Sequence, residues 1–264
     1  MPFIRSFSID TDKKSPFPFN VPAVKYAKEV TINDKTTILV GENGSGKSTL
    51  LESIAYKCNL PLISGFIETN AKTGFEAAIA IQPFLKIIFA REYIKGFFFR
   101  AEDFSDFING LERELNKTEQ DLIDLKGNVE DSIIRQMSES NSYRLREMRK
   151  KYGDNMQSYS HGEAYLKILQ TRISDRGLYI LDEPEAALSP LKQISLIFLI
   201  KQIVSGGNAQ FIIATHSPIL MGIPDATIME IQEGGMHIVD YTETDHYKIT
   251  KAFLNNLNQY LRHL

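Results

Sequence analysis

Residues 41–48 (GENGSGKS) fit the pattern G-x-x-x-x-G-K-S/T, a combination of residue types suited to holding a polyphosphate. Glycines let successive backbone N–H groups close around an anion without a Cβ in the way, and a helix opening at Lys47 adds the partial positive charge of its N-terminus. Asn43, Gly44, Ser45, Gly46, Lys47, Ser48 and Thr49 are therefore the expected nucleotide-binding residues. Lys47 is expected to reach the β- and γ-phosphates, and Ser48 to ligate Mg2+. A second stretch, residues 179–183 (YILDE), ends an apolar run in two adjacent carboxylates. Beside a phosphate loop, Asp182 would join Ser48 in the magnesium shell and Glu183 would orient and deprotonate a water. That pairing implies hydrolysis of the triphosphate and not binding alone.

These residues need strands and helix starts to hold them. Residues 36–40 (TTILV) form a short β-branched run that stops at Gly41, and residues 47–56 supply helix formers directly after it, so the spacing predicts strand, loop, helix. Residues 178–181 (LYIL) and 211–214 (FIIA) are continuously apolar instead of alternating, the pattern of parallel strands covered on both faces. Between them Ser189 and Pro190 read as helix cap and first helical residue, Leu191, Ile194 and Phe198 recur at helical spacing, and Gly206 and Gly207 close the segment. Residues 227–231 and 237–241, joined through Gly234 and Gly235, predict a hairpin, with a helix following to Tyr260. Residues 103–157 differ from the rest. They are charged, contain no strand-like run and place Leu111, Leu115, Leu122 and Leu125 at helical intervals, which predicts an inserted helical subdomain within a single domain spanning 1–264.

Composition narrows the classes. The 264 residues carry 30 basic and 33 acidic side chains, a net charge of −3, and 43% hydrophobic residues, which excludes a strongly basic nucleic-acid binder overall and leaves room for a local basic patch. Such a patch lies at residues 143–152, where Arg144, Arg146, Arg149, Lys150 and Lys151 stand against Glu147; it reads either as a solvated helix face or as a surface for nucleic-acid phosphates. The single cysteine, Cys58, makes neither an internal disulfide nor a cysteine-rich metal site, which points to a reducing, cytoplasmic setting. No window is apolar for the length of a membrane span; the closest, residues 194–204, is broken by Ser195, Lys201 and Gln202, and the first ten residues lack a secretory pattern. His246 and His263 have no metal-ligand company in the sequence.

Taken with residues 158–166 (SYSHGEAYL), 183–189 (EPEAALS) and 214–218 (ATHSP), the phosphate loop and the paired carboxylates resemble the ATP-binding cassette (ABC) ATPases. The insertion, the compact size and the THSP segment are similar to the soluble branch that includes the SMC and RecF proteins. GFFFRAEDF, LDEPEAALSP, FIIATHSPIL and the final YLRHL resemble small stand-alone bacterial ATPases of this kind. The resemblance implies a P-loop α/β fold: a mostly parallel sheet flanked by helices, with an antiparallel β portion and a helical insertion. It implies an ATP- and Mg2+-dependent ATPase that closes as a homodimer. Ser160 and Gly162 match the signature that meets ATP on the opposite subunit, although His161 and Glu163 depart from it. Residues 186–189 match the segment crossing the dimer interface, and His216 matches the histidine that touches the γ-phosphate. For the γ-phosphate sensor, Glu102 has the right place and Gln82 the right side chain; Glu102 is the expected one. Tyr26 and Phe19 are open candidates for an adenine contact. The implied role is a nucleotide-gated switch in DNA maintenance or defence; the alternatives are the ATPase subunit of a membrane transporter and an ATP-gated regulator of an effector protein.

Overall fold

In a computed structural model of the chain, the described residues are 2–11, 16–32, 34–63, 75–91, 95–104, 161–261 and isolated positions of 109–143. Two sheets organise them. A six-stranded sheet is built from β3 (Thr36–Gly41), β5 (Gly96–Arg100), β6 (Leu178–Asp182), β7 (Gln210–Ala214), β8 (Thr227–Gln232) and β9 (Gly235–Val239), in the order β5-β6-β7-β3-β8-β9. All its pairings are parallel except the β8–β9 hairpin. A smaller antiparallel sheet, β2-β1-β4, is made of β1 (Ile4–Ile9), β2 (Val30–Thr31) and β4 (Leu85–Phe89). The α/β class, the parallel centre and the antiparallel portion are as the sequence predicts.

The continuous apolar runs bury both faces because two layers of cover exist. In β3, Ile38 and Val40 enter one core cluster and Leu39 the other; in β6, Tyr179 and Leu181 separate from Leu178 and Ile180 in the same way. This is the period-two alternation of a strand, hidden in the sequence because both faces are dry. The first cluster is completed by Tyr165 and Leu169 of α4 (His161–Arg172) and by Leu196 and Ile200 of α5 (Pro190–Gly206). The second is closed by Leu50, Leu51 and Ile54 of α2 (Lys47–Lys57), by Ala23 and Val24 of α1 (Pro22–Lys25), by Ala78 and Ile81 of α3 (Glu76–Ile81), and by the small sheet. Truncating a side chain such as Ile180, fully buried between these layers, costs about 2–5 kcal/mol.

Ser189 and Pro190 do open α5, the proline fitting the first turn where no intrahelical N–H bond is lost. The face it buries is not the one marked by Leu191, Ile194 and Phe198: Leu191 and Phe198 are 71% and 66% exposed, while Gln193, Leu196 and Ile200 turn inward. The helix is apolar nearly all round, so spacing alone does not choose a face. A short helix, α6 (Pro218–Met221), precedes the β8–β9 hairpin, and α7 (Asp245–Asn255) and α8 (Leu257–Tyr260) follow it, where the sequence predicts one helix. Among the described residues, no helix is long and apolar enough to cross a membrane.

One side chain ties the two sheets together. Gln210, at the start of β7 and fully buried, accepts hydrogen bonds from the N–H groups of Phe3 and Ile4, both at 2.8 Å. Its amide donates to the carbonyls of Ile4 (3.0 Å) and Ile32 (2.9 Å). Four backbone groups at the seam between sheets are thereby satisfied without water.

Leu111, Leu115, Leu122 and Leu125 of the expected insertion, and the basic residues 144–151, lie outside the described residues. So does Ser160; at residue 162 the backbone alone is described, in the first turn of α4.

Candidate functional site

The strand order places the chemistry. β6, β7 and β3 are neighbours and parallel, so their C-terminal ends emerge together, the place where open parallel sheets present ligand-binding residues. The loop after β3 carries residues 42–46, β6 ends in Asp182 with Glu183 next, and His216 lies two residues beyond β7.

The phosphate loop is held in a conformation that needs its glycines. Gly46 caps α2 with φ +87°, and a Cβ there would stand 2.5 Å from Cγ2 of Val21. Lys47 is buried and donates to the carbonyls of Gly41 (2.8 Å) and Glu42 (3.0 Å), which folds its ammonium over the loop. Burial lowers its pKa, and the carboxylates of Glu183, Asp182 and Glu185 oppose that shift.

Asp182 is buried beside the start of α2 and hydrogen-bonds with the Ser48 hydroxyl, while its Oδ1 has no partner among the described residues. Burial raises its pKa to about 7; Glu183 and Glu52 push the same way, and the Ser48 bond and Lys47 oppose. Glu183 has φ +48°, a left-handed conformation costing a non-glycine residue on the order of 1 kcal/mol. Its N–H still reaches the Ala214 carbonyl at 2.9 Å, extending the β6–β7 ladder by one bond while the side chain swings toward solvent, 47% exposed. Glu183 Oε1 lies 3.8 Å from His216 Nε2.

His216 is gripped at two points. Its backbone N–H donates to Glu185 Oε1 at 2.6 Å, and its Nδ1 lies 3.0 Å from Nε2 of His246, on α7. Burial lowers the His216 pKa, the charges of Lys47 and His246 add to that, and Glu183 opposes it. Burial likewise raises the Glu185 carboxyl. His246 packs its ring against that of His216 with centroids 5.2 Å apart, a contact the sequence reading did not anticipate. Nothing local in the sequence marks the pair, because thirty residues and a hairpin separate them.

A cavity of about 810 Å³ opens on this loop. Residues 41–45 line one side; Asp245, His246, Ile249 and Thr250 of α7 line the other.

Arg100 and Glu52 are further members that spacing did not reveal. Arg100 sits opposite Asp182 in the β5–β6 register, and its guanidinium donates to Glu52 at 2.9 Å and Asp103 at 2.7 Å. Burial works against its charge, and Asp103 and Glu52 outweigh it, so its pKa rises. The signal available was a lone acid inside the apolar face of α2, at the centre of LLESIA.

The model of the ABC transporter family matches residues 29–186, a span from β2 through the phosphate loop and β6 to Ala186. The chain belongs to the ABC transporter family. Solved structures similar to this ABC ATPase include the Smc head domain of Pyrococcus furiosus bound to the C-terminal domain of ScpA: 13% identity, 97% of this chain and 99% of that one, TM-score 0.44. CbiO1 from Clostridium perfringens, part of the transporter complex CbiONQ, is 17% identical over 99% and 100% of the two chains, with TM-score 0.43. The SMC head domain from Thermotoga maritima is 14% identical over 90% and 98%, with TM-score 0.45. No curated protein matches the chain.

The remaining candidates of this ABC ATPase fall in different places. Glu102 lies in the single 3-10 turn Ala101–Asp103 after β5, 73% exposed, with its carboxylate 3.3 Å from Arg100. Gln82 ends α3, and its carbonyl accepts from Lys57 at 3.1 Å, at the end of α2 about 15 Å along the helix from Lys47. Phe19 is buried edge-on against Phe84, a core contact. The Tyr26 hydroxyl donates to the Glu233 carbonyl in the hairpin turn.

Proposed function

We propose that the chain is a magnesium-dependent ATPase working as a nucleotide-gated dimeric switch. The observation that carries this reading is the convergence of Lys47, Ser48, Asp182, Glu183 and His216 at the ends of three adjacent parallel strands. The residues suit a magnesium–triphosphate: Gly44 and Gly46 hold left-handed backbone that opens the loop, Lys47 has an ammonium bonded to main-chain carbonyls, and Asp182 keeps a buried oxygen unpartnered among the described residues. Ser48 and Asp182 would hold the magnesium, which when bound would neutralise charge on the phosphates.

Lys47 and the N–H groups opening α2 would bind the β- and γ-phosphates. Glu183 would align a water and take its proton as the water oxygen bonds to the γ-phosphorus. The bond from that phosphorus to the bridging oxygen breaks, leaving ADP and inorganic phosphate. His216 would donate to the γ-phosphate and hold it in line. Ser160 and Gly162 of a second copy would close over the nucleotide, so ATP joins two subunits and hydrolysis releases them. The similarity of the sequence to the soluble SMC and RecF branch, with the basic residues 144–151, supports nucleic acid as what the switch acts on.

The test is calorimetry with Mg-ATP followed by gel filtration of Glu183→Gln. We expect nucleotide binding, and a variant that accumulates as an ATP-bound dimer. Absence of any affinity for Mg-ATP, or a variant that stays monomeric with ATP bound, would overturn the ATPase and the switch readings respectively. Salt-sensitive DNA binding that is lost when residues 144–151 are neutralised tests the partner.

A further inference from the structure

We propose that His246 is a positioning residue for the γ-phosphate histidine: its Nε2–H donates to Nδ1 of His216 and so keeps the His216 proton on Nε2, aimed at the phosphate. This rests on His216 having the role given above. The geometry carries it. The two nitrogens are 3.0 Å apart, a hydrogen-bond distance that requires one ring to be donor and the other acceptor. The opposite nitrogen of His216, Nε2, is buried, has no hydrogen-bond partner among the described residues, and lies 3.8 Å from the Glu183 carboxylate oxygen. A lone pair directed at a carboxylate is repelled, whereas an N–H is attracted, so the proton of His216 sits on Nε2 and Nδ1 is the acceptor. His246 must then supply the hydrogen from its own Nε2, which leaves its Nδ1 as the unprotonated nitrogen. That atom is buried and has no partner among the described residues, so none of them offers an acceptor for a hydrogen there.

The placement of His246 is itself built. Thr244, fully buried, caps α7: its hydroxyl donates to the Tyr241 carbonyl at 2.9 Å and accepts from the Tyr247 N–H at 3.4 Å. The Tyr241 hydroxyl in turn donates to the Pro218 carbonyl at 3.0 Å, two residues past His216. The segment bearing His246 is therefore fastened to the loop bearing His216, and the relation between the rings is set by backbone on both sides. His246 also lines the cavity onto which residues 41–45 of the phosphate loop open.

Two measurements on the full chain test this. In nitrogen-15 NMR of the histidine rings, without nucleotide, His216 is expected in the Nε2–H form; His216 protonated on Nδ1 would overturn the proposal. In steady-state ATPase assays, His246→Phe, which keeps the ring and loses the donor, is expected to lower kcat about tenfold with KM within about twofold. His246→Gln, whose amide N–H falls near the Nε2 position, is expected to restore most of the rate. Wild-type kcat in the phenylalanine variant, or equal losses in both variants, would overturn the positioning role. Should the wild-type protein prove inert toward ATP, the ATPase reading fails while the ring signals still decide which histidine donates.

Discussion

The two walls of the cavity are made of different things. The phosphate-loop wall, residues 41–45, is backbone bent by glycine between a fully buried strand and a helix, and Lys47 behind it is bonded back to the carbonyls of Gly41 and Glu42. The α7 wall is a row of side chains on a helix with no fully buried residue, held by its cap, by the Tyr241–Pro218 bond and by the His246–His216 contact. A wall of backbone is fixed by conformation, and only certain residue types reach it. A wall of side chains is fixed by where the helix docks, and many sequences would serve.

The comparison predicts effects of decreasing size. Glu183→Gln, on the strand side, should cut turnover by about 10²–10⁴-fold with nucleotide affinity kept, measured by steady-state assay and calorimetry together. Lys47→Ala should weaken nucleotide binding by about 100-fold, since it removes charged hydrogen bonds to phosphate. Asp182→Asn should abolish function yet stabilise the protein free of nucleotide and metal. The folded pKa, about 7, lies above the ordinary 3.8, so below about pH 4 both states are protonated and nothing is gained. As pH rises the unfolded chain ionises first, and above about pH 7 the folded state carries the full cost of a buried charge, on the order of 4 kcal/mol. Melting curves should therefore separate at pH 8 and coincide near pH 3. On the α7 side, Thr244→Ala should cost only about 1 kcal/mol, a shift of roughly 2–4 °C in the melting temperature. If the Thr244 variant instead lost nucleotide affinity as completely as Lys47→Ala, the α7 wall would be as rigid a part of the site as the loop.

This asymmetry also explains what the sequence could disclose. Residues 41–48 announce themselves because glycine, lysine and serine at fixed offsets are what a phosphate cradle requires. Asp182 and Glu183 follow because an apolar strand rarely ends in two acids without cause. The strands β3, β6 and β7 were legible from their unbroken apolar runs, although which residue faced which core was not. The His216–His246 contact was invisible, since it depends on a hairpin folding back and on α7 landing at one angle. Arg100 was overlooked for the same reason: only the β5–β6 register sets it opposite Asp182. The spacing of Leu191, Ile194 and Phe198 did disclose the helix, but not its buried face, because a helix with apolar residues on every side carries no directional signal.

The amide of Gln210 has an implication for motion. Because it completes four backbone bonds across the seam, the small sheet cannot lift from the large one without stranding those groups in a dry interior. The amide protons of Phe3 and Ile4 should then exchange with deuterated solvent only on global unfolding, at the pace of the central strands. The two sheets thus move as one slab.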